Sequence, residues 1–229
     1  MRSVLTALVA LGLALPTAAQ HLAVSSTAAP PPGACDFELW GDREVLWVDA
    51  QCRPLGALAL GLELGRRRIL SERAGEPLAA LEALAPLRVR EGGLSIAARA
   101  LLGFEERPLG GALRAEALTL LVPASLPLPN ERGTLGGHLG YRRLLPSGFN
   151  DAVVGVRADV GVAPDVEAFG EAELIGFEGG LHAGIRGALI PDRLTVALGY
   201  GVPVRGDGPR RGLTVGIRFG PQAVFPGLR

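Results

Sequence analysis

Leu213-Thr214-Val215-Gly216-Ile217-Arg218-Phe219-Gly220 decides the fold class of this chain. Its odd positions carry Leu, Val, Ile and Phe, and its even positions carry Thr, Gly, Arg and Gly. A β-strand turns successive side chains to opposite faces, so the segment has one aliphatic face and one small or polar face. Leu194 to Val202 repeats the pattern, with Leu194, Val196, Leu198, Tyr200 and Val202 together. In Val154 to Val162, the valines alternate with Gly155, Arg157, Asp159 and Gly161. Leu94 to Phe104 alternates as well, and Leu58, Leu60, Leu62 and Leu64 face away from Ala57, Ala59, Gly61 and Glu63.

Leu113 to Val122, Thr134 to Leu144 and Leu181 to Leu189 fit less cleanly. Ala168 to Phe177 is mixed, with Glu171 and Glu173 on the side of Phe169 and Ile175. Turn signals such as Glu91-Gly92-Gly93, Ala163-Pro164-Asp165 and Glu178-Gly179-Gly180 separate these runs. Glu76 to Leu84 breaks the series; Pro77 near its start and leucine every third residue predict a short helix. The count is nine strands, or ten with an N-terminal segment.

Such a meander closes either around a greasy centre or around a polar one. The non-aliphatic face holds mostly Gly, Ala, Thr and Ser with isolated charges, far fewer than a solvated outer face carries. Small residues suit the interior of a narrow barrel. The expectation is therefore an all-β, up-and-down antiparallel transmembrane β-barrel of about eight to ten strands with one short helix. Its lipid-facing side chains would be Leu58, Leu60, Val154, Val156, Val196, Leu198, Val215 and Ile217. Its lumen-facing charged set would be Arg99, Arg157, Asp159, His182, Arg186 and Arg218. Buried charges persist when paired, so these arginines should meet Glu63, Glu116, Asp159, Glu171 or Glu173.

The exported, meandering strands resemble small bacterial outer-membrane β-barrel proteins over residues 55–220. Leu213 to Phe219 is similar to the aromatic-terminated last strand that such barrels present to the outer-membrane assembly machinery. The resemblance implies membrane lipid and that machinery as partners.

The start of the chain supports export. Arg2, an apolar run from Val4 to Leu15 and small residues up to Ala19 form a secretory signal peptide over residues 1–19. Residues 20–34, rich in Ser, Ala and Pro, read as a linker. In an exported chain, the only two cysteines, Cys35 and Cys52, are expected to join, tying an N-terminal hairpin over residues 35–54. The barrel would then occupy residues 55–220 and a tail residues 221–229.

Composition excludes several activities. All 23 basic residues are arginine, so no lysine is present for a Schiff base or a P-loop. The formal charge is zero, which argues against a nucleic-acid partner. No G-x-S-x-G elbow accompanies His21, His138 and His182, and no His, Cys or carboxylate spacing suits a metal. No catalytic residue, metal or cofactor is therefore expected. The expected function is a structural or narrow-channel role in the bacterial outer membrane. The alternatives are a secreted or periplasmic soluble β-barrel or sandwich binding an apolar ligand and, behind it, a barrel hydrolase.

Overall fold

The computed structural model describes residues 29–41, 45–67, 79–105, 113–129, 132–191, 193–205 and 212–223. The signal-peptide residues 1–19 and the tail beyond residue 223 lie outside the described residues. Twelve strands follow one another: β1 (Ala34–Gly41), β2 (Val45–Leu55), β3 (Leu58–Arg67), β4 (Ala79–Arg88), β5 (Ser95–Glu105) and β6 (Arg114–Pro127). The second half comprises β7 (Gly133–Leu144), β8 (Asn150–Ala163), β9 (Val166–Ile175), β10 (Glu178–Ile190), β11 (Leu194–Arg205) and β12 (Gly212–Ala223). Each pairs antiparallel with its chain neighbours, and β1 pairs with β12 to close the barrel.

Closure leaves no strand edge unpaired, the one geometry besides the α-helix that satisfies every backbone group inside lipid. An even strand number puts both ends of the barrel at one rim, where Ala34 faces Ala223. The turns at this rim run from two residues, at 56–57 and at 164–165, to six at 89–94. At the opposite rim the strand ends are separated by up to eleven residues of sequence, at 68–78, and by as few as two, at 176–177.

The barrel architecture agrees with the expectation, but the wall holds twelve strands and not eight to ten. The first two extra strands are the hairpin assigned to a separate N-terminal unit. Cys35 and Cys52 are joined, and as register partners they tie β1 to β2 inside the barrel wall. The third is β4, which takes the place of the expected helix. Ala79–Leu84 are strand, and Glu76 to Pro77 lie outside the described residues. Ala and Leu favour helix locally, but β4 supplies ladders to both β3 and β5, and without it the wall would have a gap. A period of two is present there too: Leu81 and Leu87 are exposed while Ala80, Glu82 and Leu84 are buried. Pro86, which has no N–H to donate, sits next to a register shift between Pro86 and Arg88.

The end of the presumed linker also packs. Pro30 is fully buried, and Ala29 rests against the cluster of Ala59, Leu84 and Ala97 inside the terminal rim. Gly33 N–H donates to the Arg53 carbonyl, so this segment is tied to β2.

Apolar mass lies on the outside. Among the described residues the buried apolar set has nine members, five of them alanine, whereas large aliphatics are exposed on every strand but β1, which exposes Phe37, and β5. Leu58, Leu60, Val154, Val156 and Val215 are between 40% and 56% exposed, and Val196, Leu198 and Ile217 are partly exposed in the same alternation.

The disulfide spans a 17-residue separation beside the β1–β12 seam. In the chain-entropy model, a bridge closing such a loop contributes about 3 kcal/mol. The Cys35→Ser/Cys52→Ser double variant should unfold at correspondingly lower urea, followed by the fluorescence of Trp40 and Trp47. An unchanged midpoint would show that the seam holds without the bridge.

Candidate functional site

All twelve strands contribute to one internal cavity of about 840 Å³. Its lining follows from the period of two: residues between the exposed aliphatics point inward. Arg99 on β5, Arg157 and Asp159 on β8, Arg186 on β10 and Arg218 on β12 all line it. Of the charged residues singled out in the sequence, His182 does not reach the cavity; it is packed behind Glu171, 3% exposed.

The arginines are paired, and a linked network covers the β8–β10 wall. Arg157 donates to Asp159 at 2.9 Å and lies 3.6 Å from Glu171. Arg186 reaches Asp159 at 3.0 Å and Glu167 at 2.5 Å. The Arg157 guanidinium also stands 5.8 Å from the centroid of the Phe169 ring. This explains the mixed face of β9: Phe169, Glu171 and Glu173 all point inward because the interior is polar.

Besides Arg186 with Glu167, two pairs differ from those expected. Arg99 binds Glu82 at 2.6 Å, and Arg218 binds Asp36 at 2.7 Å. Read from the sequence, Glu82 falls in the expected helix and Asp36 in a hairpin outside the barrel, and neither is then a lumen residue. The alternation that marks them is nevertheless present, with Asp36 and Glu38 alternating with Phe37 and Leu39 and Glu82 between Leu81 and Ala83. Gln51 on β2 adds a hydrogen bond to Glu82 at 2.8 Å. Glu116 joins no ion pair among the described residues.

Toward the long-connection rim more of the inward side chains bond to one another. His138 lies 3.1 Å from Glu173, and Arg142 donates to Asp151 at 2.7 Å. His182 bonds Glu171 through Nδ1 at 3.0 Å and Thr214 through Nε2 at 2.8 Å. In the neutral imidazole, Nδ1–H donates to the carboxylate and the Thr214 hydroxyl donates to Nε2. A hydroxyl, an imidazole and a carboxylate in sequence have the spacing of a nucleophile–base–acid relay. Here the relay is enclosed: Thr214 is 4% and Glu171 6% exposed, and neither Thr214 nor His182 borders the cavity. It is an internal strut linking β9, β10 and β12, with no room for a substrate at the hydroxyl.

Glycines seat these rings. A Cβ at Gly155 would lie 2.6 Å from the His138 ring, and one at Gly199 would overlap both the His182 ring and the Thr214 hydroxyl. Trp40 and Trp47, register partners on β1 and β2, stack at 5.6 Å, and Trp47 covers Gly65. Among the described residues no group of His, Cys, Asp and Glu is placed to hold a metal ion.

A closed antiparallel meander of twelve strands, aliphatic outside and charged within, has the architecture of small outer-membrane porin-type barrels. No family model matches the sequence, and no curated protein sequence matches it. Among solved structures the chain is similar to the KdgM porin, at 11% identity over 81% of this chain and 98% of that chain, with a TM-score of 0.57. The KdgM porin has also been solved in complex with oligogalacturonate. The NanC porin gives 10% identity, 81% and 99% coverage and a TM-score of 0.57. An outer-membrane channel from Pseudomonas putida F1 gives 10% identity, 88% and 100% coverage and a TM-score of 0.57. At these identities the likeness is one of fold.

The strut yields a direct contrast between two glycines. Gly199→Ala should cost about 1–3 kcal/mol through forced displacement of His182. Gly170→Ala on the outer face of β9, where a Cβ meets nothing within 4 Å, should change little. Urea titration of both variants checks this; equal midpoints would mean that the imidazole moves freely.

Proposed function

We propose that this protein is an exported outer-membrane barrel that acts as a narrow channel for small polar solutes. The observation that carries this reading is a closed wall with aliphatics outside and a charged 840 Å³ cavity inside, bordered by every strand. In this reading Leu58, Leu60, Val154, Val156, Val196, Leu198, Val215 and Ile217 face lipid. Arg99, Arg157, Asp159, Arg186 and Arg218 face the lumen, and His182 braces it.

The dimensions support a spanning role. Strands of 10 to 14 residues make up most of the wall. At roughly 3.3 Å per residue and a tilt near 40°, such strands match an apolar band about 25 Å tall. The two longest connections, residues 68–78 and 106–113, both join strand ends at the rim away from Ala34 and Ala223, which suits an external side there and a periplasmic side at the terminal rim. Residues 1–19 would direct export and be removed. The last strand, Leu213 to Phe219, would engage the assembly machinery. A channel role is favoured over an enzyme because the one hydroxyl–imidazole–carboxylate relay among the described residues is shut away from solvent.

Two measurements test this. The protein should require detergent for extraction from envelopes and should migrate differently on gels before and after boiling; recovery in the aqueous extract would overturn the membrane location. In planar bilayers it should produce stepwise conductance, and flat traces would overturn the channel role.

A further inference from the structure

Resting on the channel reading, we propose that the lumen selects cations and small cationic solutes over anions. The argument begins with a row of carboxylates. Glu38 on β1 is the register partner of Asp49 on β2, which is the register partner of Glu63 on β3. All three line the cavity. Side chains in directly opposed positions have Cβ atoms about 4.5–5.5 Å apart, and like charges placed so repel.

No cation among the described residues forms an ion pair with Glu38, Asp49 or Glu63. The four arginines of the lining are engaged elsewhere: Arg99 with Glu82, Arg157 and Arg186 with the acids of β8 and β9, and Arg218 with Asp36. Five of the nine lining carboxylates therefore exceed the four guanidinium groups, and the row supplies three of these five, with Glu38 facing Arg218 across the β1–β12 seam. The whole lining has the same sign, with nine carboxylates against four guanidinium groups. The chain contains no lysine that could redress it.

A cavity lined by one sign of charge and walled by low dielectric concentrates counter-ions and repels co-ions. The row is a field and not a chelate, because no group of acids and histidines among the described residues is placed to hold a metal ion. Ions held weakly by side-chain carboxylates enter and leave readily, which is what conduction with selectivity requires. A lining of this sign repels a polyanionic sugar chain such as the one solved with the KdgM porin.

The test is the reversal potential of the full chain in planar bilayers under a tenfold potassium chloride gradient. The potential should move toward that of potassium. The preference should be strong near 0.1 M salt and weaken near 1 M, where screening shortens from about 10 Å to about 3 Å. The triple variant Glu38→Gln/Asp49→Asn/Glu63→Gln should lose most of this preference, with the permeability ratio falling several-fold toward parity. A wild-type potential at zero or toward chloride would overturn the proposal while leaving the channel intact. A variant that conducts with the original preference would also overturn it. Absence of any conductance would overturn the channel reading and this inference with it. Efflux from liposomes carrying the wild-type chain needs no variant: argininamide should leave faster than glucuronate, and the reverse order refutes the proposal.

Discussion

The pairing of β1 with β12 is the constraint on which the remaining structure depends. Until that ladder forms, the sheet has two open edges whose N–H and C=O groups must find water. Once it forms, every strand has two neighbours and the wall can stand in hydrocarbon. Closure also turns an alternating pattern into two separate environments. In an open sheet the faces differ only in exposure; in a closed one the inner face becomes a confined volume. The Cys35–Cys52 bridge strengthens the strand that makes the closure, and the seam sets Glu38 directly opposite Arg218.

The interior shows two solutions to the cost of confining charge. On the β8–β10 wall, arginines and acids interlock, so that Arg157 and Arg186 offset most of the charge of Asp159, Glu167 and Glu171 through ion pairs of 2.5–3.6 Å. Breaking such a network by removing one member strands its partner, which is more costly than the net value of the pair. On the β1–β3 wall Glu38, Asp49 and Glu63 form no ion pair among the described residues and border the cavity. Toward the long-connection rim, imidazoles laid over glycines and the stacked tryptophans fill space that a wider barrel would leave open.

Much of this was legible along the chain. The alternation in Val154 to Val162, Leu194 to Val202 and Leu213 to Phe219 reads as strand because each run has an unbroken period of two. It misled where local signals competed. Ala79 to Leu84 satisfies a helical rule and a strand rule together, and only the demand for ladders on both sides decides for strand. Leu113 to Val122 reads as a strand that stops before Pro123, yet β6 runs on to Pro127 because β5 and β7 extend that far. The disulfide made residues 35–54 look self-contained, which hid two wall strands and the acids Asp36, Glu38 and Asp49.

The sequence by itself determined the class of wall: two faces of opposite character, repeated from end to end, with aliphatics too numerous to bury inside a narrow barrel. It also determined the supply of charges, an interior without lysine and with isolated arginines. Tertiary structure alone decided how many strands the wall holds and which charge meets which. Period-two alternation is a local property that each strand carries with it. Register and closure depend on partners 11 to 182 residues apart, as His182 with Glu171 and Arg218 with Asp36 illustrate. Only when those strands are set side by side do three acids, unremarkable in their own segments, become one continuous row.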